Sequence, residues 1–250
     1  MVNDGIKFEK IFISAVNNKH FDELSNNLQH IIKVMFPYTF NEGIITACHC
    51  DPTGKPDVKI VIGTEEHYLS LKTGSSQAVH CEDFHKFLDK VNKIGVSEKT
   101  ISTLKRFQYG DGTEDGTGTV RQSFVELFPQ MVKEIKDANE ELNYSNDRMV
   151  EFVDILVFKG NYDEKPSADF IYHGNMDYGV IVSRNQVLKH LRRRNYEYMR
   201  NLHIGPIQFH PYARYVDFES NYPEKREKTN FKWVNFESDL YYISTHYVDY

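Results

Sequence analysis

The stretch from Gly54 to Gly74, GKPDVKIVIGTEEHYLSLKTG, constrains this chain more than any other. Val58 to Ile62 and His67 to Leu71 are apolar, β-branched runs of strand length, and Gly63-Thr64 supplies a short turn between them. Side chains alternate along a strand, so Asp57, Lys59 and Val61 share one face of the first, and Tyr68, Ser70 and Lys72 one face of the second. If the two strands pair as a hairpin, the carboxylate of Asp57 and the ammonium of Lys72 meet at one end of the sheet. A carboxylate so placed can ligate a hard divalent cation. The ammonium can activate water or steady the negative charge of a phosphorane-like transition state.

The order Pro56-Asp57, short strand, turn, strand, Ser70-Leu71-Lys72 resembles the active-site pattern of the PD-(D/E)XK nuclease superfamily, which includes many restriction endonucleases. The resemblance covers Phe21 to about Ile94. It implies a mixed central sheet flanked by helices, Mg²⁺-dependent hydrolysis of DNA, and a homodimer acting on symmetric sites. Asp57 would hold the metal, Lys72 would orient or deprotonate the attacking water, and Ser70 would touch metal-bound water. Ser70 is the departure, since the family pattern carries Asp or Glu there as a second metal ligand. Some restriction enzymes of the superfamily with Ser at this place take the acid from the following helix. Three residues are candidates for it: Glu42 at the start of the preceding strand, Glu66 with the strand parity of Ser70, and Glu82 on the expected helix after Lys72. Gln77 and His80 share the inward side of that helix more naturally than Glu82, which helical spacing sets opposite the Phe84-Phe87-Leu88-Val91 stripe.

With 250 residues, 40% of them hydrophobic, the chain can bury a full core, and it is expected to form a single domain over residues 1–250. A helical insertion is expected at about 97–145 and a β-rich part at about 150–250. No apolar run approaches the ~20 residues of a membrane helix, residues 1–10 lack the apolar region of a signal peptide, and a cytoplasmic location is the default expectation. Cys48, Cys50 and Cys81 are too few for a disulfide framework. The net charge of -6 excludes a uniformly basic coat, so nucleic-acid binding would rest on local patches. The cations Lys189, Arg192, Arg193 and Arg194 at a helix end form such a patch, suited to a phosphate backbone.

Elsewhere, apolar spacing predicts helices over 21–36, 84–94 and 97–107, and another over 120–142 kinked at Pro129. Ser183 and Gln186 form a capping box that opens one more helix. Strands are expected at 43–50, 151–158, 168–172, 178–182, 204–209, 212–218, 231–236 and 240–244, and Gly110 to Thr119 as a mobile, exposed loop. Cys48-His49-Cys50 with His80-Cys81 offers soft donors, although the usual zinc spacing is absent. Two other functions fit the residues: a catalytically silent binding module that lost an acid at Ser70, and an unrelated α/β enzyme in which Asp57 and Lys72 lie apart.

Overall fold

The computed structural model describes residues 4–51, 54–74, 77–119, 122, 124–160, 165–194, 196, 201–212 and 223–247. In chain order the elements are α1 (Asp4–Val16), α2 (Asn26–Met35), β1 (Ile45–His49), β2 (Val58–Ile62), β3 (Glu65–Lys72), β4 (Ala78–Asp83), α3 (Phe84–Lys93), α4 (Glu98–Tyr109), α5 (Phe124–Leu142), α6 (Asn146–Asp154), β5 (Phe170–Gly174), β6 (Gly179–Ser183), α7 (Arg184–Arg193), β7 (His203–Ile204), β8 (Ile207–Pro211), β9 (Lys228–Trp233) and α8 (Phe236–His246). They form two compact units. The first comprises Met1–Ser76, Asp154–Arg193 and Asn235–Tyr250; the second comprises Gln77–Val153 and Arg194–Val234. The class is mixed α/β, with strands in two sheets rather than one.

The first unit carries a five-stranded sheet in the order β1-β2-β3-β5-β6. β1, β2 and β3 form an antiparallel meander, β5 joins β3 in parallel, and β6 returns antiparallel to β5. Phe8, Phe12 and Val16 of α1 and Leu28, Ile31, Ile32 and Met35 of α2 pack on one face, against Val58, Ile60, Leu69 and Leu71. Each such side chain contributes about 1.5–3 kcal/mol of burial energy. α7 and α8 pack with β6. The capping box forms as expected: Ser183 Oγ accepts from the Gln186 amide at 3.1 Å, and Ser183 N–H donates to Gln186 Oε1 at 2.9 Å.

The second unit has a four-stranded sheet, β4-β9-β8-β7. Phe87 of α3 sits among the rings of Phe152, Phe209 and Phe231 at 5.0–5.9 Å. α4 starts at Ser97, whose Oγ accepts from the Thr100 amide, and stops at Gly110, where φ is +63°.

Several expectations are corrected. Residues 151–158 are not a strand: they finish α6 and pass into a π-helical turn, Ile155–Lys159. Phe152, Val153, Leu156, Val157 and Phe158 are all buried, and a helical segment buried over most of its circumference reads in sequence like a core strand. Residues 240–244 lie in α8, where Phe236, Leu240 and Ile243 make a buried helical stripe. β7, β8 and β9 do not extend the sheet of β1–β3; they pair with β4, a strand standing where a helix was expected directly after Lys72. The predicted strand 212–218 lies outside the described residues after Tyr212. The glycine-rich loop is wound around one buried carboxylate: Asp111 accepts from the Thr113 amide and hydroxyl, the Gly118 amide and the Arg226 guanidinium. α1 was not anticipated at all. Among the described residues, no helix is long and apolar enough to cross a membrane.

Candidate active site

Asp57 stands one residue before β2. Its backbone still belongs to the ladder, donating to Leu69 O at 2.9 Å and accepting from the Cys50 amide at 3.1 Å. Beyond it the chain turns away at Pro56, which leaves the Leu71 amide of the longer β3 without a backbone acceptor on that side. The Asp57 carboxylate takes that place. Its Oδ2 accepts from the Leu71 N–H at 2.6 Å and from Ser70 Oγ at 3.1 Å. Lys72 Nζ lies 3.6 Å from the same oxygen. Asp57, Ser70 and Lys72 are thus brought together at one end of the sheet, on one face of the β2–β3 hairpin, as strand alternation requires.

The three groups differ in what they have left to give. Ser70 is buried and its hydroxyl is spent on Asp57. The side chains of Lys72 and Asp57 keep 24% and 22% of their surface, so a solute can reach both. All the contacts of Asp57 fall on Oδ2; among the described residues Oδ1 has no hydrogen-bond partner. A carboxylate with one oxygen anchored and the other open is pre-oriented for a cation, and the anchoring removes the rotamer entropy that binding would otherwise cost.

Glu9 was not singled out from the sequence. It sits on α1 beside Phe8, and its carboxyl titrates above the ordinary glutamate range: burial pushes it up, the negative charge of Asp57 adds to this, and the Lys72 ammonium opposes it. The side chain therefore feels both members of the Asp57–Lys72 pair. His49, at the end of β1, places Nδ1 3.6 Å from Glu9 Oε2. The signal lay in Phe8, Phe12 and Val16, a four-residue spacing that marks a helix and sets Glu9 at the margin of its buried stripe.

The acids named from sequence stand elsewhere. Glu42 is exposed, three residues before β1 begins, and the register Ile45↔Ile62, His49↔Val58 puts that end of the strand opposite to the one Asp57 occupies. Glu66 is paired with Lys59 at 2.5 Å and accepts from the Tyr68 hydroxyl. Glu82 is a strand residue of the second unit, buried, with Lys90 Nζ 2.7 and 3.0 Å from its two oxygens and His80 at 3.5 Å. Burial alone would raise its pKa, yet His80 and Lys90 outweigh burial and hold it below the usual value. Gln77 and His80 belong to the second unit as well, His80 on β4.

Lys189, Arg192 and Arg193 are exposed near the end of α7, with Arg194 next along the chain and also exposed. The Arg193 guanidinium lies 5.6 Å from the ring centre of Tyr247. For a metal, the described residues contain no group of three or more His, Cys, Asp or Glu. Burial, with the charges of Cys48 and Asp57, pushes the Cys50 thiol up to about 12, and burial raises Cys81 too. A hard divalent cation needs no thiolate. Mg²⁺ keeps several waters and takes one or two protein carboxylates together with substrate phosphate.

No protein-family model and no curated protein sequence matches this chain. A solved structure does: restriction endonuclease MspI in complex with its cognate DNA superposes with a TM-score of 0.55 over 91% of this chain and 88% of that one, at 13% sequence identity. The fold is therefore that of a restriction endonuclease.

Proposed function

We propose that the protein is a Mg²⁺-dependent endodeoxyribonuclease of restriction type. The observation that supports this most is the open Oδ1 of Asp57 beside Lys72, on a fold shared with a restriction endonuclease. Asp57, with Glu9 as the second carboxylate, would hold the metal. A bound Mg²⁺ polarises a phosphate oxygen and lowers the pKa of coordinated water. The chain's own residues do the rest. Leu71 N–H and Ser70 Oγ fix the Asp57 rotamer. The Lys72 ammonium, 3.6 Å from Asp57 Oδ2, would orient the attacking water and offset charge on the phosphate in the transition state. Ser70 would thereby be a positioning residue, and Glu9 of α1, whose carboxyl feels the charges of Asp57 and Lys72, would supply the negative charge that Ser70 lacks.

Lys189, Arg192, Arg193 and Arg194 would meet the phosphate backbone, each contact releasing condensed counterions. A two-fold homodimer would present two such sites to a symmetric duplex in the cytoplasm. The test is cleavage of supercoiled plasmid with Mg²⁺ and with EDTA. Metal-dependent nicking that Asp57→Ala and Lys72→Ala each abolish is the expected result. Binding of DNA without cleavage by the unaltered protein would instead establish the silent module.

A further inference from the structure

The second unit holds a cavity of about 360 Å³, apart from any residue used above. One wall is a polar stripe of α5, in which Lys136, Asn139, Glu140 and Asn143 follow the spacing i, i+3, i+4, i+7. The apolar stripe of the same helix, Met131, Ile135, Ala138 and Leu142, is buried in the core. Two of the polar residues are structural. Asn139 accepts from the His203 amide at 3.0 Å, while Asn143 donates to His203 O at 3.1 Å and accepts from the Gly205 amide at 2.6 Å. They fasten β7 and its turn to the helix, and in doing so they aim the His203 side chain at the cavity.

His203 is 1% exposed. Its Nδ1 lies 3.0 Å from Gly205 O, and a carbonyl only accepts, so Nδ1 carries the hydrogen and Nε2 is left with a lone pair. Burial disfavours the charged ring and lowers its pKa, against the opposing pull of that carbonyl. Nε2 has no hydrogen-bond partner among the described residues. Glu140, 3.8 Å from Lys136, adds a second acceptor at the mouth, and Met149 and the ring of Tyr196 add apolar surface. A site with a ring-nitrogen acceptor inside, an anionic acceptor at its rim and apolar surface from Met149 and Tyr196 selects a planar ligand whose amino group can give one N–H to each acceptor. The volume suits one base with its sugar and excludes a duplex.

The geometry points to a binding site for an amino-bearing nucleobase (adenine, cytosine or guanine), whose exocyclic amine donates to His203 Nε2 and Glu140 and whose phosphate Lys136 can meet. The base can arrive on a free nucleotide or on a nucleotide unstacked from a nucleic acid; both present the same edge. The site is independent of Asp57 and Lys72, so its failure leaves the nuclease reading untouched.

The test uses the full chain with ¹⁵N-labelled histidine, and reads the His203 Nε2 resonance during titration with adenosine, cytidine, AMP and thymidine. A saturable shift with adenosine, cytidine or AMP but not thymidine is expected. Glu140→Gln, on an exposed helix surface, should weaken that binding at least ten-fold, and Asp57→Ala should leave it unchanged. A parallel arm follows 2-aminopurine in a duplex: a rise in fluorescence with the unaltered protein that Glu140→Gln suppresses assigns the base to nucleic acid, and a response to free nucleotide alone assigns it to a small effector. No movement of Nε2 with any of these ligands, or an equal response to thymidine, overturns the proposal and leaves water as the partner.

Discussion

Asp57 and Glu82 are both carboxylates near a lysine, and they teach opposite lessons. Glu82 is closed: its side chain is 1% exposed and Lys90 reaches both oxygens, so the charge has nothing left to offer. Asp57 is half-committed: one oxygen is held by Leu71, Ser70 and Lys72, and among the described residues the other has no hydrogen bond, on a side chain that solvent reaches. The spacing of acid and base in sequence does not separate the two cases. Saturation does. A buried carboxylate whose acceptors are all filled stabilises the local fold, whereas one with an anchored oxygen and an open one is prepared for a ligand.

The largest expected effects set that contrast directly. Asp57→Ala should lower Mg²⁺-dependent plasmid cleavage by about 10³-fold or more, and Lys72→Ala by about 10²–10³-fold, the scale for removing a preorganised electrostatic group. Melting curves should show both variants folded. Glu82→Ala should do the reverse, destabilising the protein by about 3–5 kcal/mol because the largely buried Lys90 ammonium loses the carboxylate that meets it through both oxygens. Urea titration measures that loss. A Glu82 variant that stays fully stable yet loses cleavage would break the contrast.

Glu9 sharpens it further, because its two roles pull apart. Its pKa is raised in the fold, so its contribution to stability is complete below the unfolded value of 4.5 and is lost as pH rises through the folded value. At neutral pH the ionised side chain is a burden to the fold. Glu9→Gln should therefore melt higher than the unaltered protein at pH 7 while cutting more slowly, by about 10–100-fold. The acid limb of the rate profile, set above the ordinary glutamate range, should also disappear in that variant. Higher melting without loss of rate would show that Glu9 has no part in the chemistry.

The smallest effect concerns His67, on the same sheet as Asp57 but with both ring nitrogens occupied. Its Nδ1 is 3.5 Å from Asp169 and its Nε2 3.0 Å from Glu65. Asp169 raises its pKa, burial opposes this and Glu65 adds to the rise. A raised value means the stabilisation is complete below the unfolded 6.5 and fades as pH climbs through the folded value. Chemical denaturation at pH 6 and pH 8.5 should show greater stability at the lower pH, and His67→Gln should flatten the difference. An unchanged slope in His67→Gln would remove this ring from the account.

Much of this was legible in the chain. The β2–β3 hairpin, the placement of Asp57, Ser70 and Lys72 on one face, the Ser97 and Ser183 caps and the Phe84-Phe87-Leu88-Val91 stripe follow from local rules that tertiary contacts do not override. The rest depended on long-range packing. Residues 151–158 and 240–244 carry strand-like composition and fold as helix because the partners that bury them lie far along the chain. The order of two sheets is set by pairings such as β4 with β9, about 150 residues apart, which no local pattern announces. Glu9 was invisible for the same reason: its meaning comes from Asp57 and Lys72, some 50 to 60 residues away in sequence.

The most direct measurement is Mn²⁺ binding in the presence of a DNA duplex, followed by the loss of free-ion signal in electron paramagnetic resonance. The account predicts that Asp57→Asn abolishes the tight site and that Glu82→Gln keeps it. Equal binding by Asp57→Asn and the unaltered protein would contradict it, because the open oxygen would then hold no metal.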